Sequence, residues 1–143
     1  MIQRIDVHAI LQASIPGLYT DLVTRPTGRV VREHIERAIV DTTVALIDFT
    51  GVGCIDYSCA DEIVAKLVRE RVEVLLLRGL TDGHRMAIEP VLVGHGLAVV
   101  VELADGSLEV LGPPESAAAL REQLIARQLA HPIAGGALAL TAA

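Results

Sequence analysis

The side chains best suited to chemistry lie in residues 48–62, where four carboxylates flank one serine, Ser58. The carboxylates are Asp48, Asp56, Asp61 and Glu62. A hydroxyl in such a setting is typical of a helix cap or of a nucleophile. Asp48 and Asp56 also have a simpler interpretation, in which they end a strand and cap a turn.

A hydrolase is the least favoured of these possibilities. Ser58 lies in the sequence D-Y-S-C-A, whereas a nucleophile elbow needs G-x-S-x-G. Gly51 and Gly53 form a G-x-G after an apolar run, but the third glycine of a dinucleotide loop is missing. We therefore predict that the chain is not an enzyme and needs no cofactor.

Metal-ligand spacing is also absent from the sequence. No two histidines stand at the i, i+4 spacing of a helical zinc site, and Cys54 and Cys59 match no zinc or thioredoxin pattern. We expect the histidines to be ordinary surface or capping residues: His8, His34, His84, His95 and His131.

Composition excludes two further classes. The 143-residue chain has a net charge of −6, so it lacks the basic footprint of a nucleic-acid-binding protein. Only 2% of its residues are aromatic, so the core must be aliphatic and bases have almost no stacking platform. No apolar run resembles a membrane span or signal peptide, and we expect a cytoplasmic protein.

The elements around Ser58 follow from the apolar pattern. Residues 43–49 form an apolar run typical of a buried parallel strand, and 50–53 form a glycine-containing loop. Residues 58–70 have helical periodicity, with Asp61 and Glu62 outside the apolar stripe. Ser58 then falls at or next to the N-cap, where a hydroxyl stabilises a helix by about 1 kcal/mol.

The rest of the chain alternates strands and helices. The predicted strands are 4–11, a short one within 14–24, 72–77, 97–103 and 108–111. The predicted helices are 26–39, 84–93 with Pro90 kinking or dividing it, and 113–128. This order predicts a small α/β sandwich with a mixed four- to six-stranded sheet and helices mainly on one face. We expect one domain over residues 1–130 and a flexible tail over 131–143.

The segment 44–67 resembles the signature of STAS and STAS-like domains, found in bacterial anti-sigma-factor antagonists and anion transporters. That signature has a strand ending in Asp, a loop of small residues, an apolar-Asp pair and a Ser or Thr at a helix start. The matching residues here are Leu46-Ile47-Asp48, Thr50-Gly51-Val52, Ile55-Asp56 and Ser58. Tyr57 and Cys59 replace the Ser and Gly that usually flank the acceptor.

The resemblance implies a signalling module that binds a protein partner. Family antagonists bind an ATP-dependent serine kinase of histidine-kinase-like fold, and phosphorylation of the acceptor serine breaks that complex. Ser58 is then the candidate phospho-acceptor, since a phosphate adds about −1.5 to −2 charges at pH 7. The implied partner-binding residues are Asp56, Tyr57, Ser58, Cys59, Asp61 and Glu62. We expect the fold itself to stay intact.

Two alternatives remain open. In the first, the chain is a structural or small-ligand-binding domain of the same fold, with Ser58 as a mere cap. The second concerns residues 97–130, which either pair with a second copy of the chain or cover an edge of the sheet. Neither nucleic acid nor a membrane is an expected partner.

Overall fold

The sheet orders every other element of the structure. The computed structural model describes residues 2–14, 20–39 and 43–141, whose strands form one seven-stranded mixed sheet in the order β1-β2-β3-β4-β5-β7-β6. The strands are β1 (Gln3–Asp6), β2 (Val44–Asp48), β3 (Val74–Arg78), β4 (Val99–Glu102), β5 (Ser107–Leu111), β6 (Ala130–Pro132) and β7 (Leu138–Leu140). The predicted α/β sandwich is confirmed, with one strand more than the upper limit of six.

The first four strands are parallel, and their carboxyl ends share one edge of the sheet. Asp6, Asp48, Arg78 and Glu102 stand in register across these four strands. The first four residues of β2 and of β3 are all buried, because helices cover both faces. The loop that follows Asp48, which leads to the predicted site, therefore begins at this edge.

Helices cover the two faces unequally. They are α1 (Val7–Ser14), α2 (Arg25–Ala38), α3 (Tyr57–Ala60), a π-helical turn (Asp61–Ala65), α4 (Lys66–Glu70), α5 (Asp82–His95) and α6 (Pro114–Ala126). All but α6 pack on the face that carries Ala45, Ile47 and Leu75. Of the helices in the described residues, α6 alone packs on the opposite face. The prediction that helices lie mainly on one face is thus confirmed. No helix within the described residues is long and apolar enough to cross a membrane.

The predicted strand over residues 4–11 is wrong beyond Asp6. The strand ends there, and the chain turns directly into α1. Val7 and Leu11, one helical turn apart, are both fully buried, and Asp6 Oδ1 accepts the Ala9 amide at 3.1 Å. The i, i+4 apolar pair and the aspartate at the helix start outweigh the strand-like alternation that precedes them.

The predicted strand within residues 14–24 is only partly described, since residues 15–19 lie outside the described ranges. Within the described part, Leu22 forms a single parallel bridge to Ile55. Of the two effects predicted for Pro90, a division of the helix is wrong, because α5 continues past Pro90 to His95.

The expected flexible tail is replaced by sheet. Strand β7 pairs with β5, and β6 pairs with β7, both antiparallel. Leu138 is fully buried with Leu120 and Leu124 of α6. The hairpin of β4 and β5 therefore extends the sheet and the terminal pair of strands continues it, while α6 covers the second face, within the same chain.

Candidate functional site

The loop before Ser58 is held by a neighbouring segment, residues 20–24. The Gly53 amide donates to the Thr20 carbonyl, and the Leu22 amide donates to the Cys54 carbonyl, each at 2.7 Å. The Asp56 amide donates back to the Leu22 carbonyl at 3.0 Å, and Asp21 Oδ1 accepts the Cys54 amide at 2.8 Å. These bonds fix the backbone that delivers the chain into the helix.

Asp56, and not Ser58, is the N-cap of the helix that begins at Tyr57. Its Oδ1 accepts the Cys59 amide and the Ser58 hydroxyl, each at 2.8 Å, and its Oδ2 accepts the Thr24 amide at 2.9 Å. We call these four residues (Thr24, Asp56, Ser58 and Cys59) the Asp56 cluster. Burial alone would raise the pKa of Asp56, but its hydrogen bonds hold that pKa below its ordinary value.

Ser58 lies one residue inside the helix, with its side chain half-buried. Because its hydroxyl donates to Asp56, it does not serve as the predicted acceptor for a backbone amide. Tyr57, immediately before it, is 52% exposed. The helix entrance and a solvent-reachable serine at its start are therefore present, while the capping role belongs to the neighbouring aspartate.

Thr24 is held in a backbone conformation that threonine rarely adopts. Its φ is 70° and its ψ is 142°, near the region that only glycine populates readily. For a β-branched residue such a conformation costs about 1–3 kcal/mol. Although Thr24 occupies the cap position of α2, its side chain makes no cap hydrogen bond and instead donates to Thr27 Oγ1. The start of α2 thus lacks a side-chain cap from Thr24, and Asp56 holds the strained residue through its amide.

Cys59 was predicted to contact a partner, and the structure contradicts this. Its side chain is fully buried, and the thiol donates to the Thr24 carbonyl at 3.0 Å. Burial, together with the nearby Asp56 carboxylate, raises the pKa of the Cys59 thiol to about 12. Cys59 therefore contributes to the interior of the site, where no partner reaches it.

Glu62 was also predicted to face a partner, yet its exposed fraction is 0%. Its Oε2 accepts from Arg25, and its Oε1 accepts from Arg32 and Lys66, each at 3.0 Å. We call these residues the Glu62 cluster. Burial would raise the pKa of Glu62, but the cations hold it below its ordinary value. The cluster joins α2 to the helix that follows Ser58.

Glycine at position 28 allows this joint. A Cβ on Gly28 would lie 3.1 Å from the Cys59 Cα and 3.2 Å from the Glu62 Cβ, so α2 approaches closely enough that a larger residue would have to push its neighbours aside. The helix face of Cys59, Glu62 and Lys66 consequently points at α2. The sequence analysis did not predict this contact with α2, because it assigned a single apolar stripe to residues 58–70. In the structure, helices pack against that segment on two sides.

The two remaining carboxylates, Asp61 and Asp48, form different kinds of contact. Asp61 lies between Arg25 and His95, whose Nε2 is 2.7 Å from Asp61 Oδ1. Burial would raise the pKa of Asp61, but its bonds to Arg25 and His95 lower it. Asp48 accepts the Thr50 amide at 2.9 Å and the Thr50 hydroxyl at 2.6 Å, which is the turn-capping arrangement that the simpler interpretation predicted.

Exposed apolar side chains lie along α5, the helix that Tyr57, the residue before Ser58, approaches. Met86 is 76% exposed and Val93 is 65% exposed, and with the exposed Pro90 they share one face of the helix. Tyr57 extends to this helix, since its Oη is 3.9 Å from the position that a Cβ on Gly94 would occupy. We call Tyr57, Met86, Pro90 and Val93 the α5 patch. Sequence analysis missed it because the predicted helix was judged by its buried side.

His84 connects α5 to the same loop. Its Nδ1 accepts the Thr81 amide at 3.1 Å and its Nε2 lies 2.6 Å from the Gly53 carbonyl, so a neutral ring protonated at Nε2 satisfies both bonds. The Thr81 hydroxyl accepts the His84 amide and completes a capping box. The capping role expected of the histidines is confirmed for His84, although the residue is buried and not at the surface.

A separate cavity of about 450 Å³ opens at the carboxyl ends of β3 and β4. Arg78 and Arg85 line it, and each is bonded to a carboxylate, Glu102 and Glu109 respectively. None of the predicted site residues reaches it. Among the described residues, no group of three or more His, Cys, Asp or Glu side chains is placed to hold a metal ion.

Comparison with known proteins adds no assignment. No family model matches the chain, and neither the search of curated proteins nor that of solved structures gave a match.

Proposed function

We propose that this chain is a regulatory protein-binding module of STAS-like type, and that its partner binds the α5 patch and the adjoining surface at Ser58. The observation that carries the proposal is the position of Tyr57, the exposed residue before Ser58, whose Oη approaches α5 at Gly94, next to the exposed Val93. Clustered exposed apolar side chains mark interaction surfaces in soluble domains.

The chemistry at Ser58 supports a switch by charge. In the proposed reaction Ser58 Oγ attacks the γ-phosphorus of ATP held by the partner kinase. The bond to ADP breaks as the new O–P bond forms, and the hydroxyl proton passes to a base of the kinase. The product adds about −1.5 to −2 charges next to Asp56 and within one helical turn of Asp61. A partner whose apolar surface excludes water from this region would bind the phosphorylated chain more weakly, because the added charge loses its hydration.

The proposed partner is a serine kinase of histidine-kinase-like ATPase fold, as the resemblance implies. The proposed interface is narrower than the set predicted from sequence. It retains Asp56, Tyr57, Ser58 and Asp61, while Cys59 and Glu62 are excluded by burial. It gains Met86, Pro90 and Val93.

Two measurements test the proposal. Incubation with such an ATPase and ATP should add one phosphoryl mass to the wild-type chain and none to Ser58→Ala. Val93→Asp should weaken binding of the ATPase by at least about tenfold, equivalent to about 1.4 kcal/mol. Ile125→Asp is the matched control, because Ile125 is an exposed apolar residue of α6 on the other face of the sheet. Equal binding by the two variants would remove the α5 patch from the proposal.

One observation favours the alternative, a domain without a switch. The Ser58 hydroxyl already has a partner within the chain, Asp56 Oδ1, so a purely structural role satisfies it. That alternative predicts that Ser58→Ala lowers stability by about 1 kcal/mol and that Ser58→Asp leaves affinity for every partner unchanged.

A further inference from the structure

We propose that the Asp56 cluster is a conformational switch, in which negative charge on Ser58 detaches Asp56 from Thr24 and lets the strained segment 20–25 change conformation. The regulatory meaning of this switch rests on the proposed function, whereas its structural part concerns the isolated chain. It reverses our expectation from sequence that modification leaves the fold intact.

The first step is the loss of the Ser58–Asp56 hydrogen bond. Ser58 Oγ is 2.8 Å from Asp56 Oδ1 and donates its only proton to it. A phosphorylated Oγ has no such proton, and a phosphate or carboxylate at this position places like charge directly against Asp56. The like charge therefore shifts the equilibrium toward a state in which the Asp56 carboxylate has moved away, and it can move only by releasing the bonds that hold it.

The second step concerns Thr24. Asp56 Oδ2 accepts the Thr24 amide at 2.9 Å. This bond joins two residues that are 32 positions apart in the sequence. Thr24 has a φ of 70°, so its backbone returns to a negative φ once that acceptor leaves. The energy stored in the strained residue thus favours the open state, and Asp56 is the group that opposes it.

The third step carries the change to α2. Arg25 follows Thr24 directly, and its Nη1 donates to Asp61 at 2.8 Å and to Glu62 at 3.0 Å. A change of φ at Thr24 redirects the chain at Arg25 and so alters these ion pairs. The consequence of modification is a different surface at the start of α2, in addition to the added charge at Ser58.

Amide hydrogen exchange on the isolated protein tests the switch. We expect Ser58→Asp to lower the protection factor of the Thr24 amide at least about tenfold, with the Ile47 amide of the central strand β2 unchanged. Thr24→Gly in the same chain should restore most protection of residue 24, because glycine adopts a positive φ without strain. Asp56→Asn should also lower protection at Thr24.

Two matched controls separate this switch from general effects. Ser116→Asp adds a carboxylate to the first turn of α6, where the Ser116 hydroxyl donates to the Gly96 carbonyl and not to a carboxylate. It should leave Thr24 unchanged. Gln128→Gly relieves another positive φ, 58°, far from Asp56, and should not restore Thr24 in the Ser58→Asp chain.

Each outcome decides the inference. Unchanged protection at Thr24 in Ser58→Asp, or protection that Thr24→Gly fails to restore, overturns the switch. If Ser58→Asp also speeds exchange at the Ile47 amide, the variant is unfolding more generally, and Asp56→Asn becomes the test. Unchanged exchange at the Thr24 amide in Asp56→Asn then overturns the switch. These results leave the proposed function standing, because kinase labelling and the Val93→Asp binding assay test it separately.

Discussion

The carboxylate of Asp56 lies 2.8 Å from the hydroxyl of Ser58 and accepts its hydrogen bond. The residue that resembles a phospho-acceptor is therefore not the cap of its own helix but a donor to that cap. This relationship makes Asp56 the member of the Asp56 cluster whose removal should have the largest structural effect.

Asp56→Ala should lower the free energy of unfolding by about 2 kcal/mol, since it removes a helix cap and leaves the Thr24 and Cys59 amides without their acceptor. Urea denaturation followed by circular dichroism measures this loss. Asp105→Ala is the control, because Asp105 accepts the amide and hydroxyl of Ser107 within one exposed turn. We expect a loss of about 0.5 kcal/mol there. Similar losses in both variants would show that Asp56 acts only as a local turn residue.

Acid should destabilise the domain through two carboxylates, the buried Glu62 and the partly exposed Asp61. Glu62 and Asp61 have folded-state pKa values below their ordinary 4.5 and 3.8. Their protonated forms are thus favoured in the unfolded chain, and the stability they contribute is complete above about pH 5 and is lost as pH falls through the folded-state pKa values. Urea denaturation between pH 7 and pH 3, measured in steps of about one unit, should show this decline.

Glu62→Gln should flatten the acid decline and lower stability at pH 7 by about 2–3 kcal/mol, because three cations lose their shared carboxylate. Glu73→Gln is the control, since Glu73 is exposed and pairs with Arg127 at the surface. Its effect should stay under about 1 kcal/mol. An unchanged pH profile in Glu62→Gln would contradict the assignment of acid sensitivity to this carboxylate.

Local patterns predicted the path from β2 through the loop into the helix at Tyr57, because that path depends on apolar periodicity within one short segment. They did not predict the burial of Glu62, because its partners Arg25 and Arg32 stand 37 and 30 residues earlier in the chain. A carboxylate in a first helical turn has the same local sequence whether water or three cations surround it.

The backbone strain at Thr24 and the strand pairing of residues 130–140 could not be predicted from the sequence either. Nothing in the type of Thr24 indicates a φ of 70°, and the acceptor of its amide, Asp56, stands 32 residues later in the chain. Residues 130–140 have weak strand patterns and two adjacent glycines, Gly135 and Gly136. They become strands because β5 offers an unpaired edge and Leu138 finds a buried position next to α6.

The two cysteines should differ sharply in reactivity. Cys54 is exposed, while Cys59 is buried and has a thiol pKa raised to about 12. Iodoacetamide at pH 8 should label Cys54 alone in the folded chain and both residues in urea, as measured by intact mass, since the thiolate is the reacting form. The Cys54→Ser chain should therefore remain unlabelled until it unfolds. Rapid labelling of that chain would mean that the Asp56 cluster opens readily.

Gly28→Ala tests the close approach of α2. Alanine ordinarily favours a helix over glycine by about 1 kcal/mol, but the added methyl would lie 3.1 Å from the Cys59 Cα and 3.2 Å from both the Cys59 Sγ and the Glu62 Cβ. We therefore expect a net loss of about 1–3 kcal/mol, the usual cost of overpacking. Gly94→Ala, where the nearest atom is 3.9 Å away, should gain about 0.5–1 kcal/mol. A loss of stability in Gly28→Ala with a gain in Gly94→Ala would show that the close contact, and not helix propensity, requires glycine at position 28. A gain in both variants would mean that α2 moves away from Cys59 at little cost.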